Sequence, residues 1–240
     1  EAVAEFKEIN DPAEPTMRAI FGFNRFLDKM FLKPAAVFYK GFLPPPLQRG
    51  VHNFLNNLRT PIILLNDVLQ GKFERAGTTV ARFFVNSTVG ILGFSDQAAE
   101  MGMEYHNEDF GQTLAVWGAD EGPYLILPVF GPSNPRDAVG LAVDWVIDPV
   151  SRSFRSHEKN QRFIARGIDQ RSRHIVDLVT LEKTSIDFYA AMRELYRQHR
   201  ANEVRNGELP PPLPIPSITL EEFSDEEFDQ TAGSGEASEQ

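Results

Sequence analysis

Apolar segments broken by Pro and Gly are the feature that most restricts how this 240-residue chain can fold. The clearest case is the segment Gly122–Gly140, GPYLILPVFGPSNPRDAVG, which is strongly apolar yet carries Pro at positions 123, 128, 132 and 135. Pro removes a backbone donor and Gly punctuates regular structure, so this segment is not a long regular element. No apolar run elsewhere approaches the roughly 20 residues that a membrane-spanning helix requires. The sequence therefore predicts short elements rather than membrane spans.

Signals that start and stop helices are dense, whereas strand signals are sparse, which predicts an all-α fold. Asp11 is a candidate N-cap, but Pro15 is expected to interrupt the pattern, so the first long helix is predicted from near Thr16 to about Phe31. Apolar side chains cover more than half the circumference of that helix. Such a helix is either deeply buried or faces lipid.

Similar signals predict further helix boundaries along the chain. The predicted N-caps are Thr60, Ser95, Asn134 and Ser185. The predicted stops are Gly71, Gly90, Gly93, Asp148-Pro149 and Gly207. From about residue 151 onward the helices are charged with a narrow apolar seam, which is typical of soluble amphipathic helices.

The net charge of −10 belongs almost entirely to the C-terminal tail. Nine of the 34 acidic residues lie at or after Glu208, where there is no Lys or Arg, so residues 1–207 carry 25 acidic and 24 basic side chains. A nearly neutral body argues against a nucleic-acid partner, because phosphate backbones bind positive surfaces. We therefore expect one helical domain over residues 1–207 and a Pro-rich, then acidic, disordered tail over residues 208–240.

Phenylalanine is unusually frequent, with 19 Phe against five Tyr and two Trp. The ordinary interpretation, which composition alone favours, is a well-filled core. The alternative is a surface that faces acyl chains, as in helices that lie in a bilayer interface. Because the apolar arc of residues 17–31 is wider than a soluble helix needs, we expect membrane contact there and in segment 80–94. The predicted membrane-facing residues are Phe26, Met30, Phe31, Phe83 and Phe84.

Recognisable catalytic motifs are missing from the sequence, and the chain has no Cys. His106 lies near Glu108 and Asp109, but three polar residues in one loop lack the spacing of metal ligands and fit a polar loop that enters a helix. Arg136-Asp137 could be a catalytic pair, although Asp137 is explained more simply by its place in the first turn of a helix. We therefore expect no enzyme activity, no metal site and no cofactor.

Five stretches together resemble the VacJ/MlaA family of outer-membrane lipoproteins. They are NDPAE…FGFNRFLD, FLPPPLQRGVHNFLNNLRTPIILLNDVLQG, RFFVNSTVGILGFSDQA, EDFGQTLAVWGADEGPYLILPVFGPSNPRDAVG and YAAMRELYRQHR. They occur in the expected order over about residues 9–200, which is far more specific than any one of them. The chain departs from the family pattern at Met17-Arg18, where Asn-Arg is usual, and at Pro15.

This resemblance implies a ring-like bundle of amphipathic helices around a polar channel, seated in the periplasmic leaflet of the outer membrane. It implies retrograde transport of mislocalised phospholipid from the outer leaflet, association with a trimeric outer-membrane porin, and delivery to a soluble periplasmic carrier. It also implies a lipid anchor, although the anchor Cys is not in the printed sequence, which is expected to begin after it or to lack it. The alternatives are a porin-binding structural adaptor that conducts no lipid and, less favoured, an envelope hydrolase.

In the family, the segment that matches Gly122–Gly140 is similar to a loop beside the channel. We predict that Tyr124, Leu127 and Phe130 form an apolar flap over one side of this channel, with a polar rim of Arg136 and Asp137 beneath it. The full predicted channel and gating set is Phe21, Phe23, Asn24, Gly122, Pro123, Tyr124, Leu127, Pro128, Phe130, Gly131, Arg136 and Asp137. The alternative is that the segment is simply a plug in the core.

Overall fold

The computed structural model describes residues 10–208, so almost all of the predicted tail lies outside the described residues. The predicted all-α fold is confirmed. The α-helices are α1 Glu14–Leu27, α2 Lys33–Phe42, α3 Pro45–Asn57, α4 Thr60–Leu69, α5 Phe73–Thr88, α6 Gln97–Glu100, α7 Phe110–Val116, α8 Pro135–Ile147, α9 Pro149–Ser153, α10 Ser156–Arg173, α11 Ile175–Thr184 and α12 Phe188–Val204. A π-helical turn, Asp28–Leu32, joins α1 to α2, and two short strands, β1 Leu125–Leu127 and β2 Gly131–Ser133, precede α8.

The first helical run begins two residues earlier than predicted and continues past Phe31. Pro15 does not interrupt it, because a Pro in the first turn has no N–H that the helix would use. Asp11 is not the N-cap; its carboxylate accepts hydrogen bonds from Tyr189 and Arg193 instead. The π-helical turn ends two residues before Pro34, whose ring would clash with the carbonyl four residues earlier in a regular helix.

Three of the predicted N-caps are wrong. The cap of α6 is Asp96 rather than Ser95, and the cap of α12 is Asp187 rather than Ser185. In both cases a carboxylate one or two positions further along accepts the free backbone N–H groups, so the helix begins there. Thr60 is the first residue of α4 and caps nothing.

Packing between the helices follows a closed circuit. Going from one helix to its neighbour in space, α2 packs on α10, α10 on α3, α3 on α5 and α5 on α4. The circuit continues with α4 on α7, α7 on α12 and α12 on α11, and it closes where α11 packs on α2. The hairpin joins this circuit through α1, which contacts β1, and through α12, which contacts β2. The hairpin therefore connects α1, near the start of the described residues, with α12, near their end.

Burial in this structure reverses the usual pattern for a protein in water. Among residues 10–208, ten apolar residues are buried, whereas sixteen polar or charged residues are buried and 32 large apolar residues are exposed. A folded domain of about 200 residues normally hides its large apolar side chains and leaves charged ones outside. The helices therefore carry apolar surface outward and enclose polar groups.

Candidate functional site

The base of the hairpin is core. Tyr124 is only 4% exposed and Ile126 only 2%, and both pack in one cluster with Met17 and Tyr189. Tyr124 therefore does not belong to an exposed flap, and the prediction for this residue is corrected. The reason is the two-residue period of a strand, which turns alternate side chains of Tyr124–Leu127 inward, toward α1 and α12.

The tip of the hairpin is exposed and is attached to α1 by one side chain. Val129 and Phe130 are more than half exposed, and Leu127 is half-buried. Asn24 donates to the carbonyl of Leu127 at 2.9 Å and accepts from the amide of Val129 at 2.8 Å. Asn24, which is grouped with this segment in the predicted channel and gating set, thus contacts it, and a single amide group clamps the turn.

Backbone conformation at the hairpin ends requires glycine at one position and strains another. Gly122 has φ +70°, and a Cβ there would lie 3.2 Å from the ring of Pro135. Gly131 has φ +89° and starts β2 in register with Leu127. Val129 adopts φ +71°, which is unfavourable for a β-branched residue. This strained turn is held by the Asn24 clamp.

The other predicted members lie around the hairpin with different exposure. Phe21 packs against Phe188 and Tyr189 at ring-centroid distances of 5.5 and 5.6 Å, so it belongs to the core edge. Phe23 is exposed on α1. Pro128 is exposed and Pro123 is half-buried. Their roles in lipid passage stay predictions.

Arg136 and Asp137 form a buried ionic junction rather than an open rim. Asn134 caps α8 as predicted, accepting from the amide of Asp137 at 2.8 Å. Arg136 donates to Asp137 at 3.1 Å, and each side chain of this pair is only 9% exposed. The main partner of Asp137 is Arg200 of α12, which sequence analysis missed.

Arg200 bridges two carboxylates at the point where α7, α8 and α12 meet. It donates to Asp109 at 2.7 and 2.8 Å and to Asp137 at 2.7 and 3.0 Å. Close approach is possible because Gly111 has no side chain; a Cβ there would lie 2.7 Å from both Arg200 and Asp137. We call Arg200, Asp109 and Asp137 the Arg200 junction.

Electrostatics at the Arg200 junction favours the charged forms. Burial alone would raise the pKa of Asp109, but the hydrogen bonds and charge of Arg200 outweigh it and hold the pKa at about 2. Asp137 is shifted down by the same competition between burial and Arg200, so its pKa is also below the usual value. Burial alone would lower the pKa of Arg200, but the hydrogen bonds and charges of Asp109 and Asp137 outweigh burial and raise that pKa. All three groups are ionised at neutral pH.

A second polar cluster lies between α4, α5 and the segment before α7. Asp67 and Glu108 are both fully buried. Asp67 accepts from Thr79 at 2.7 Å and lies 3.0 Å from His106, and Glu108 accepts from Arg75 at 2.9 Å. His106, Glu108 and Asp109, which are adjacent in sequence, thus turn to three different partners. Among residues 10–208 no group of three or more His, Asp or Glu is arranged to hold a metal ion.

The predicted membrane-facing side chains are mostly exposed. Phe26, Met30, Phe31 and Phe84 are 55–63% exposed, and Phe83 is half-buried. They belong to a larger set, the outer apolar face, which comprises Phe23, Phe26, Met30, Phe31, Phe38 and Phe42 on α1 to α2 and Phe73, Val80 and Phe84 on α5. None of the helices in the described part of the chain is both long and apolar enough to cross a bilayer.

Helix α5 displays the inversion most clearly. Its buried side is formed by Ala76 and three polar residues, Thr79, Arg82 and Asn86. Its exposed side carries Phe73, Val80 and Phe84, spaced seven and four residues apart on one stripe. Arg82 is held inside by a bidentate pair with Asp96 at 2.8 and 2.9 Å.

The sequence of this chain is similar to those of known proteins. The family model described as MlaA lipoprotein matches residues 9–203. An uncharacterised protein of Rickettsia prowazekii is 34% identical over 82% of this chain and 78% of its own length. The intermembrane phospholipid transport system lipoprotein MlaA of Escherichia coli is 31% identical over 84% of this chain and 81% of its own.

A solved structure gives the same result for the fold. It comes from work on the structural basis for maintenance of bacterial outer membrane lipid asymmetry, and it is 30% identical in sequence with a TM-score of 0.73. The match covers 81% of this chain and 98% of the other. The resemblance stated from sequence motifs is therefore confirmed: the chain belongs to the MlaA lipoprotein family.

Proposed function

We propose that this protein is a non-enzymatic component of phospholipid transport at the outer membrane. It removes mislocalised phospholipid from the outer leaflet, lets it pass along the polar interior, and delivers it to a soluble periplasmic carrier. Membership of the MlaA lipoprotein family supports the general role in phospholipid transport. The direction, the path and the partners are the proposal.

The observation that carries this proposal is the inverted burial of α5. Exposed Phe73 and Phe84 leave a large apolar area in contact with the surroundings, which in water is unfavourable by about 25 cal/mol per Å². Acyl chains remove that penalty. The opposite side of the helix is polar, with buried Thr79 and Arg82 engaged by Asp67 and Asp96, and a polar interior is what a charged headgroup requires. A phospholipid needs both environments at once.

The same faces support the proposal that the protein is seated in one leaflet. The outer apolar face lies on helices of ordinary length whose other sides are polar, which is the pattern of helices lying in a bilayer interface. The closed packing circuit α2–α10–α3–α5–α4–α7–α12–α11 supports a ring of helices with polar groups inside. We propose that this ring surrounds the lipid path in the periplasmic leaflet.

The hairpin tip is the proposed gate of that path. Its exposed apolar side chains, Val129 and Phe130, are attached to α1 through Asn24 and reach α10, where the ring of Phe130 lies 5.5 Å from that of Phe163. The buried base anchored by Tyr124 holds the tip in place. A firmly held base and a lightly clamped tip are what a small moving flap requires.

The proposed partners are those of the family: phospholipid, a trimeric outer-membrane porin and a soluble periplasmic carrier. A lipid anchor on the N-terminal side is proposed on the same basis. Membrane association has independent support in the outer apolar face. The porin contact and the carrier contact rest on family membership alone.

The test is transfer of labelled phospholipid to the carrier. The protein is reconstituted in vesicles with its porin, labelled phospholipid is supplied, and label on the soluble carrier is measured. We expect transfer that depends on the protein, whereas porin binding without transfer would contradict lipid conduction and favour an adaptor. Release of fatty acid by the purified protein would contradict the non-enzymatic role.

The gate has its own test, which the absence of Cys in the printed sequence makes clean. Asn24→Cys is combined with Val129→Cys, since these residues already contact one another. We expect oxidation to block transfer and reduction to restore it. Unchanged transfer with the cross-link confirmed would mean that the hairpin is only a plug.

A further inference from the structure

Three arginines gather where α10 meets the turn between α3 and α4. Arg162 and Arg166 lie one helical turn apart on α10. Arg162 donates to the carbonyl of Leu58 at 3.2 Å, which joins α10 to the chain immediately before Arg59. Arg162 also pairs with Asp148 at 2.8 Å. The guanidinium group of Arg162 is therefore anchored, and the other two lie around it.

Arg59 and Arg166 have no such anchor. Within residues 10–208 the guanidinium group of neither one has a hydrogen bond or an ion pair, although both residues are half-buried. Three carboxylates lie in this region, Asp144, Asp148 and Asp169, and each is already engaged. Asp144 accepts from the amide of Phe110 and from Asn66, Asp148 from Arg162, and Asp169 from His52 and Arg173.

The charges of the group act on one another. Burial, followed by the positive charges of Arg59 and Arg162, lowers the pKa of Arg166 to about 9, which leaves it protonated at pH 7. Two cations held close together, neither hydrogen-bonded to a carboxylate of its own, are an unfavourable arrangement. An anion bound between them would relieve it.

We propose that Arg59 and Arg166 bind the phosphate of a phospholipid headgroup, with the anchored Arg162 adding to the positive field. A guanidinium group matches phosphate geometrically, because it offers parallel N–H donors to two oxygens. This inference rests on the proposed function, since it names where the transported lipid is held.

Apolar side chains next to the arginines favour a lipid phosphate over free phosphate. Phe163, three residues before Arg166 and therefore beside it on the surface of α10, is half exposed. The ring of Phe130, from the hairpin tip, lies 5.5 Å from that of Phe163. A ligand with an anionic head and an apolar body satisfies both sets of groups.

The experiment measures binding by the full chain in a non-ionic, phosphate-free detergent. Three probes are compared: dihexanoyl phosphatidylglycerol, dihexanoylglycerol, which lacks the phosphate, and inorganic phosphate. For Arg59→Gln/Arg166→Gln we expect about tenfold or greater weakening of phosphatidylglycerol binding and no change for dihexanoylglycerol. Arg173→Gln, on the same helix but engaged with Asp169, is the matched control and should bind phosphatidylglycerol like the wild type.

If these arginines had only a structural role, replacing Arg166 would lower the melting temperature of the lipid-free protein. Removing Arg166 relieves repulsion, so without lipid the melting temperature of Arg166→Gln should equal or exceed that of the wild type, and phosphatidylglycerol should raise it less. Unchanged phosphatidylglycerol binding in the double variant overturns the site. Inorganic phosphate that binds as tightly as phosphatidylglycerol overturns its assignment to lipid.

Failure of this site and failure of the proposed function are distinguishable. Arginine-dependent binding with no transfer to the carrier would contradict transport while the phosphate site stands. Normal transfer, together with phosphatidylglycerol binding that does not depend on Arg59 or Arg166, would contradict the site and leave the transport function standing.

Discussion

The outer apolar face and the Arg200 junction differ in how they relate to solvent. The outer apolar face places Phe side chains such as Phe31 and Phe84 outside, where they contact little of the protein. At the junction, Arg200 and two carboxylates are enclosed and satisfy one another at 2.7 to 3.0 Å. The first region gains free energy only from an apolar environment, whereas the buried charges of the second are paired with one another whatever surrounds the protein.

This difference teaches how a small apolar core suffices. Only ten apolar residues are buried, so hydrophobic burial within the described chain is limited. Ionic and hydrogen-bonded contacts between helices that are distant in sequence make up part of the tertiary contacts. The exposed Phe side chains are not needed for that core.

Loss of the cation at the junction should have the largest effect. Arg200→Met leaves Asp109 and Asp137 buried without their partner, so we expect a loss of about 3 to 5 kcal/mol in the free energy of unfolding, measured by urea denaturation. His199→Ala is the control, because the side chain of His199, next to Arg200 in sequence, is 66% exposed. This substitution should change stability by less than about 0.5 kcal/mol. A loss below about 1 kcal/mol in Arg200→Met would break the contrast between the two regions.

Acid should weaken the junction and leave the outer apolar face unaffected. Because the pKa of Asp109 is about 2 in the folded protein against 3.8 ordinarily, its contribution is fully present above about pH 4 and is lost as pH falls toward 2. The shift corresponds to about 2 kcal/mol. We expect Asp109→Asn to lose this part of the acid dependence when unfolding is measured from pH 2 to 7. Asp177→Asn, at an exposed site, should keep the wild-type profile.

Removing apolar surface from the outer face should change membrane binding rather than stability. Phe26→Ser combined with Phe84→Ser removes two side chains that are more than half exposed, so stability in solution should change by less than about 0.5 kcal/mol. Vesicle affinity should fall about thirtyfold, since each of the two Phe side chains contributes roughly 1 kcal/mol in lipid. Ile186→Ser, at a fully exposed apolar residue in the charged C-terminal third, should leave vesicle affinity unchanged. Equal losses in both variants would contradict a defined membrane face.

The smallest effect is expected at the hairpin tip, which lies between the two regions. Asn24→Ala removes the bonds to Leu127 and Val129, so we expect about 1 kcal/mol lower local stability. Hydrogen exchange at the amide of Val129 should become several-fold faster. Asn53→Ala, whose amide makes one 3.4 Å bond elsewhere, should leave that exchange rate as in the wild type. An unchanged rate in Asn24→Ala would mean that the clamp does not hold the turn.

Local patterns were enough for much of the fold. The Asn134 cap and the stop at Asp148-Pro149 were predicted from sequence and are present, because a cap needs only residues within one turn. The breadth of the apolar arc on α1 was also readable. The pattern did not show where this arc lies, since a broad apolar helix is equally suited to a core or to lipid, and only the structure showed that Phe26 and Phe31 are outside the core.

The amino-acid sequence alone determined the helical class, several helix ends and the family. Tertiary structure decided which polar residues meet: Arg200 lies 91 residues from Asp109 and 63 from Asp137. It also placed Tyr124 in the core and brought Arg59 beside α10. The physical reason is that helix and cap patterns repeat within a few residues, whereas an ion pair between helices depends on where the whole chain packs, and no local period records that.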